Sequence, residues 1–209
     1  MKKLMILTAV TAMMLTGCAQ NKNAQKTGEV VNNNSIPTVL LTREISPEAL
    51  VKIYKALGVE AMGRVAVKMS TGEGSNPNYL KPELIKNLIA EVDGTIVECN
   101  TAYGNAPQDR KDERTTSANH WKVIARHGFT PTFKVDIMDE EGDMKIPVRD
   151  TTHLKYDIVG THMQNYDFMI ALNHFKGHPM GGYGGALKNL SIGCCTIQPY
   201  GQPSPQYGL

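Results

Sequence analysis

Residues 64–99 read RVAVKMSTGEGSNPNYLKPELIKNLIAEVDGTIVEC, and the architecture follows from the order of patterns within them. Two short runs, RVAVKM at 64–69 and GTIVEC at 94–99, are rich in β-branched residues and have the length of buried strands. Between them, Pro82 opens a segment whose apolar residues fall at 84, 85, 88 and 89, the spacing of one helical face. STGEGSN is a loop. Strand, loop, helix, strand requires a crossover connection, and a crossover joins parallel strands.

The alternation continues outward. Downstream, residues 115–128 read as a third helix carrying Trp121, Val123, Ile124 and Ala125, and TFKVDIM at 132–138 as another strand. Upstream, PTVLLTR at 37–43 has a β-like pattern, and Ser46-Pro47 opens a helix that ends at Gly58, with Ser as N-cap. Glu140-Glu141-Gly142-Asp143 is a turn signal that suggests a local hairpin, and YDFMIALNHF at 166–175 reads as a buried strand. The expected fold is α/β, a largely parallel sheet with flanking helices spanning 36–193. Ligands in such sheets sit beyond the carboxyl ends of the strands, which directs attention to the loops 70–76, 99–114 and 174–188.

Composition excludes some functions. The chain has 209 residues, 22 Lys and Arg against 20 Asp and Glu, and 41% hydrophobic residues. Without Lys2 and Lys3 the charges balance, so no global field draws in nucleic acid, and 13 aromatic residues supply little for base stacking. Nucleic acid is therefore not an expected partner.

The N-terminus reads as an export signal over residues 1–17: Lys2 and Lys3, then the apolar run LMILTAVTAMML, too short for a spanning helix. Leu15-Thr16-Gly17-Cys18 resembles a bacterial lipobox, in which Cys18 would be lipidated and become the first mature residue. Each buried methylene contributes about 0.8 kcal/mol, so several acyl chains would hold the domain at the periplasmic face or cell surface. Residues 18–35 are polar and Asn-rich, as a flexible tether would be. Export permits disulfides, but Cys99, Cys194 and Cys195 leave an odd number and no Cys-x-x-Cys spacing. Residues 194–209, CCTIQPYGQPSPQYGL, hold no charge at all. This break in composition suggests an atypical tail on a truncated or frameshifted domain.

The densest chemistry lies at 173–188, NHFKGHPMGGYGGALK. His174 and His178 are four apart, but the intervening and following Gly and Pro rule out a helical metal pair. Gly182, Gly184 and Gly185, with Gly181, let backbone amides turn toward an anion, while His174, His178 and Lys188 suit proton transfer, anion pairing or nucleophilic attack near neutral pH. The alternative is a tight glycine turn with solvated basic residues. Lys68, Ser70 and Thr71 after one strand and Asn100 after the next could add to a carboxylate or phosphate site. Cys99 and His120 read as core residues, His127 as a cation at a helix C-terminus, and His153 and His162 have no companion motif.

The strings ISPEALVKIYKALG, RVAVKMSTGE, NYLKPELIKNLIAEVDGTIVECNTAYG, VDIMDEEGDMKIPV and NHFKGHPMGGYGGALKNLSIG together resemble the domain-of-unknown-function 362 family over about residues 38–193. Some members are fused to ferredoxin-type domains. No Cys-rich segment is present here, so an iron–sulfur cluster is not implied. A more distant similarity is to the nickel-pincer lactate racemases, matched by His178, Gly182-Tyr183-Gly184-Gly185 and Lys188. That resemblance implies an acid/base role for His178 and a nickel-pincer nucleotide linked to Lys188 in a full-length form; Ser204 stands where a nickel-binding His would fall. The expectation is a lipid-anchored protein that binds a small anionic molecule at the 174–188 loop. A hydroxy-acid racemase and a non-catalytic surface lipoprotein are the alternatives.

Overall fold

The computed structural model describes residues 38–101, 112–153, 155–179 and 181–196. The signal, Cys18, the tether and most of the uncharged tail lie outside these. Helix α1, Pro47–Ala56, begins as its sequence dictates: Ser46 is extended and its Oγ accepts from the Ala49 amide at 3.1 Å. Strand β1 (Val65–Lys68), helix α2 (Pro82–Glu91), strand β2 (Thr95–Glu98), helix α3 (Ser117–Arg126) and strand β3 (Val135–Ile137) follow. After the antiparallel pair β4 (Asp143–Pro147) and β5 (Tyr156–Gly160), a 3₁₀ segment at Thr161–Asn165 leads into β6 (Phe168–Ala171). The described chain closes with β7 (Lys176–His178), β8 (Gly182–Gly184) and helix α4 (Ala186–Cys194).

The main sheet runs β3-β2-β1-β6, every neighbouring pair parallel, with Ala66 opposite Thr95 on one side and Met169 on the other. This is the α/β fold expected from the strand–helix alternation. Side chains alternate across it. Val65, Val67 and Ile96 pack with Leu50, Ile53, Ile85, Leu88 and Ile124 from α1, α2 and α3. Ala66, Val97 and Cys99 turn to the other face, where Cys194 and Leu190 of α4, Met163 of the 3₁₀ segment and Tyr166 just after it cover them.

Four expectations are corrected. The β-like run at 37–43 makes no strand over its described residues 38–43; Val39 and Leu41 are exposed and none of the described strands pairs with it. The turn at 140–143 does not close a hairpin, because β3 belongs to the parallel sheet and the hairpin is β4 with β5. The 166–175 run does form a strand, but β6 pairs only with β1 among the described strands and its first three residues are half-buried. Finally, 174–188 is no open loop: β7 and β8 pair antiparallel, with Lys176 opposite Gly184, and α4 starts directly after them.

Candidate functional site

Lys68 and Glu98 end β1 and β2, and each interrupts an otherwise apolar strand at its carboxyl end. Both are almost fully buried. The Lys68 ammonium donates to the Met69 carbonyl (3.0 Å) and to Asn189 Oδ1 (2.9 Å), and stands 4.0 Å from Glu98 Oε2. Asn189, on α4, donates back to the Lys68 carbonyl (3.0 Å) and to Asn173 Oδ1 (2.7 Å). One amide side chain thus ties α4, the end of β1 and the residues after β6 together.

Glu98 faces the helical layer. Its Oε1 accepts from the Thr71 amide and from Thr71 Oγ1 (2.6 Å), and lies 3.7 Å from His120 Nε2, which has no hydrogen-bond partner among the described residues. Burial by itself would raise the Glu98 pKa; His120, Lys68 and Arg114 around the carboxylate outweigh it and bring the pKa down to about 2. His120 Nδ1 faces Asn100 Oδ1 at 3.3 Å, and the Asn100 amide nitrogen donates to Ser117 Oγ (3.0 Å), which fixes the amide's orientation. Arg114 forms a buried pair with Asp112 (2.6 Å) and donates to Ser70 Oγ (3.1 Å). Behind Thr71, His127 Nδ1 donates to its carbonyl at 2.8 Å while the ring stacks on Tyr79 at 4.1 Å.

Lys68, Ser70, Thr71 and Asn100 are therefore assembled at one end of the sheet. Glu98, His120 and Arg114 bind that assembly together. The signal for the first was present in the sequence, a carboxylate at the end of a buried run; that for His120 was not, since a helical His beside Trp reads as packing.

The residues of the Gly-rich motif lie on the hairpin and α4. His174 is exposed at the hairpin's root. His178 Nδ1 accepts from the Gly181 amide at 3.1 Å, so the ring is engaged with its own turn. Gly182 has a φ of 70° in that turn. Lys188 lies in the first turn of α4, and its stem and that of Lys176 both approach the point where a Cβ on Gly184 would stand, at 3.7 and 3.8 Å. Partial burial and the Lys176 charge lower the Lys188 pKa. Gly184 and Gly185 are buried.

Cys99 and Cys194 are buried, and burial pushes both thiols up in pKa, as the core reading of Cys99 anticipates. His162, to which no motif pointed, pairs with Asp136 at 2.7 Å and Glu141 at 3.2 Å. A groove of about 470 Å³ bordered by Tyr54, Glu60, Ala90 and Asp93 lies at the amino ends of β1 and β2, opposite this chemistry. Among the described residues no three His, Cys, Asp or Glu side chains are grouped to hold a metal, and no helix is long and apolar enough to cross a membrane.

The family model described as a domain of unknown function, DUF362, matches residues 65–204. The chain belongs to this family. The DUF362 match begins at the first residue of β1 and includes every strand of the parallel sheet, the strand-end cluster, the hairpin and α4. It also takes in Cys195 and Thr196, which bond to β5 through Val159 and Ile158. No curated protein and no solved structure matches the chain.

Proposed function

We propose that this DUF362 protein is exported, held at a membrane through lipid on Cys18, and binds a small anionic ligand where the β7–β8 hairpin meets α4. The observation that carries the ligand reading is the approach of the Lys176 and Lys188 stems to one point over Gly184, 3.8 and 3.7 Å from where its Cβ would stand. The Lys188 pKa is lowered first by burial and then by the Lys176 charge, a repulsion between two ammonium groups. An anion between them relieves it. The amides at the start of α4, which has no side-chain cap hydrogen bond, add to the same preference. The buried Lys68–Asn189 link anchors this unit to the sheet. Calorimetric titration of the full chain with inorganic phosphate and with malonate tests the reading. Binding weakens about tenfold in Lys176→Ala and in Lys188→Ala and declines with salt; equal binding by both variants and the parent refutes it. Incorporation of labelled palmitate, lost in Cys18→Ala, tests the anchor.

A covalent role for Lys188 is the second reading, favoured by the same lowered basicity, which leaves more free amine to react. The intact mass of the full chain, with and without Lys188→Arg, reads a nucleotide adduct directly; an unmodified mass excludes it.

A further inference from the structure

Helix α4 is weak by its own sequence. It has nine residues, with Gly193 inside its last turn and a Ser191 hydroxyl that donates back to the Leu187 carbonyl (2.7 Å). A helix of that length does not persist alone in water. One stripe of contacts holds it. Asn189 exchanges hydrogen bonds with Lys68, and Gly193, having no side chain, lets the Lys68 ammonium come to 3.0 Å from where a Cβ would stand. Leu190 and Cys194 pack with Ala66, Val97 and Cys99. The remaining apolar side chains of the helix add little, since Leu187 is 74% exposed and Ile192 45%.

The first turn opposes the helix. Lys188 puts a cation at the positive end of the helix dipole, no acidic residue stands in that turn, and Lys176 reaches the same point from β7. The chain carries no acidic residue after Asp167, so neither hairpin nor helix supplies a counter-charge of its own. Strand alternation puts Lys176 on the Gly184 side of the hairpin, the side that Lys188 approaches, while Phe175 and Tyr183 belong to the other. An anion held by the two ammonium groups and the helix-start amides reverses the opposition, and it can do so only while α4 is formed and seated beside the hairpin. A ligand that binds one of two states alone shifts the balance toward that state. We propose that anion binding at the start of α4 controls the seating of the whole helix, and with it access to Lys68, Cys99 and Cys194 beneath its last turn, so that α4 is a cover which a small anion such as phosphate locks down. This rests on the anion reading of the same site and adds its consequence for the buried groups.

Alkylation of Cys194 by iodoacetamide in the full chain reads the unseated fraction, because this thiol-bearing residue is 5% exposed when α4 is in place. Tandem mass spectrometry locates the adducts residue by residue, and sodium chloride keeps the ionic strength equal throughout. Inorganic phosphate at about ten times its dissociation constant slows alkylation of Cys194 about tenfold, while the α2 amides keep their hydrogen-exchange rates. At the same phosphate concentration, Lys188→Gln and Lys176→Gln, each binding about tenfold more weakly, show a slowing of only about twofold. Without phosphate, Lys176→Gln by itself slows alkylation about twofold, the effect of removing one like-charge pair. Phosphate that binds in calorimetry without slowing the alkylation of Cys194 overturns the proposal and leaves the anion reading standing. Slowing of equal size in Lys188→Gln overturns it as well, as does α2 exchange that slows in parallel, since either marks stabilisation of the whole fold. Phosphate that neither binds nor slows alkylation refutes both readings.

Discussion

Glu98 shows how one carboxylate can hold several segments. It meets Thr71 from the loop after β1, His120 from α3 and Lys68 from β1. Replacing it with Gln leaves the Lys68 charge buried without an opposing one, so Glu98→Gln lowers the free energy of unfolding in urea by about 3 kcal/mol. The pH dependence has a definite sign. Because the folded pKa lies near 2, below the ordinary 4.5, the contribution of Glu98 is complete above 4.5 and is lost as pH falls toward 2. Urea midpoints of the parent therefore fall through that window more steeply than those of Glu98→Gln. His162 acts in the other direction. Asp136 and Glu141 raise its pKa above 6.5, opposed by partial burial, and Asp136 also accepts from the Tyr166 hydroxyl. Its contribution is complete below 6.5 and lost as pH rises through the folded value. Midpoints measured from pH 6 to 9 decline in the parent, and the decline is shallower in His162→Gln.

Elements depend on contacts that their own sequences do not contain. The 3₁₀ segment after β5 starts where Gly160 passes against the Met138 carbonyl, and a methyl group at Gly160 would overlap that backbone. Neither strand nor turn can yield cheaply, since His162 N also bonds to Met138 O at 3.0 Å and Thr161 N to Gly142 O at 3.1 Å. Gly160→Ala is accordingly destabilised by about 2 kcal/mol or more, read as a loss in thermal midpoint. Helices were legible because their periodicity and caps are local: Ser46 before Pro47, or the spacing of Ile85, Leu88 and Ile89. The glycines of the Gly-rich motif suggest turns and so predict a loop, whereas Gly182–Gly184 finds its partner in Lys176–His178. The run at 38–43 is the converse case, strand composition with no described strand beside it.

Across the whole molecule, the two faces of the sheet are covered unequally. Three ten-residue helices pack on one; α4 and a 3₁₀ segment serve the other, and Asn189 is the polar link that holds α4 down. Asn189→Ala leaves the Lys68 ammonium one acceptor short and weakens that docking. Hydrogen exchange of the α4 amides accelerates at least tenfold in the variant, while those of α2 keep their protection. The sequence by itself determined the parallel α/β architecture, the principal helices and the family, since these rest on periodicity, caps and motifs within a few residues of one another. It also marked Lys68, Ser70, Thr71 and Asn100, because strands in such a sheet deliver their final residues to one end. Only the tertiary structure decided that Glu98 and His120 join them, that His178 turns to its own hairpin, and that Lys176 stands against Lys188. Those are meetings between residues far apart in the chain or across a turn, set by how sheet, hairpin and helix pack and not by any local spacing.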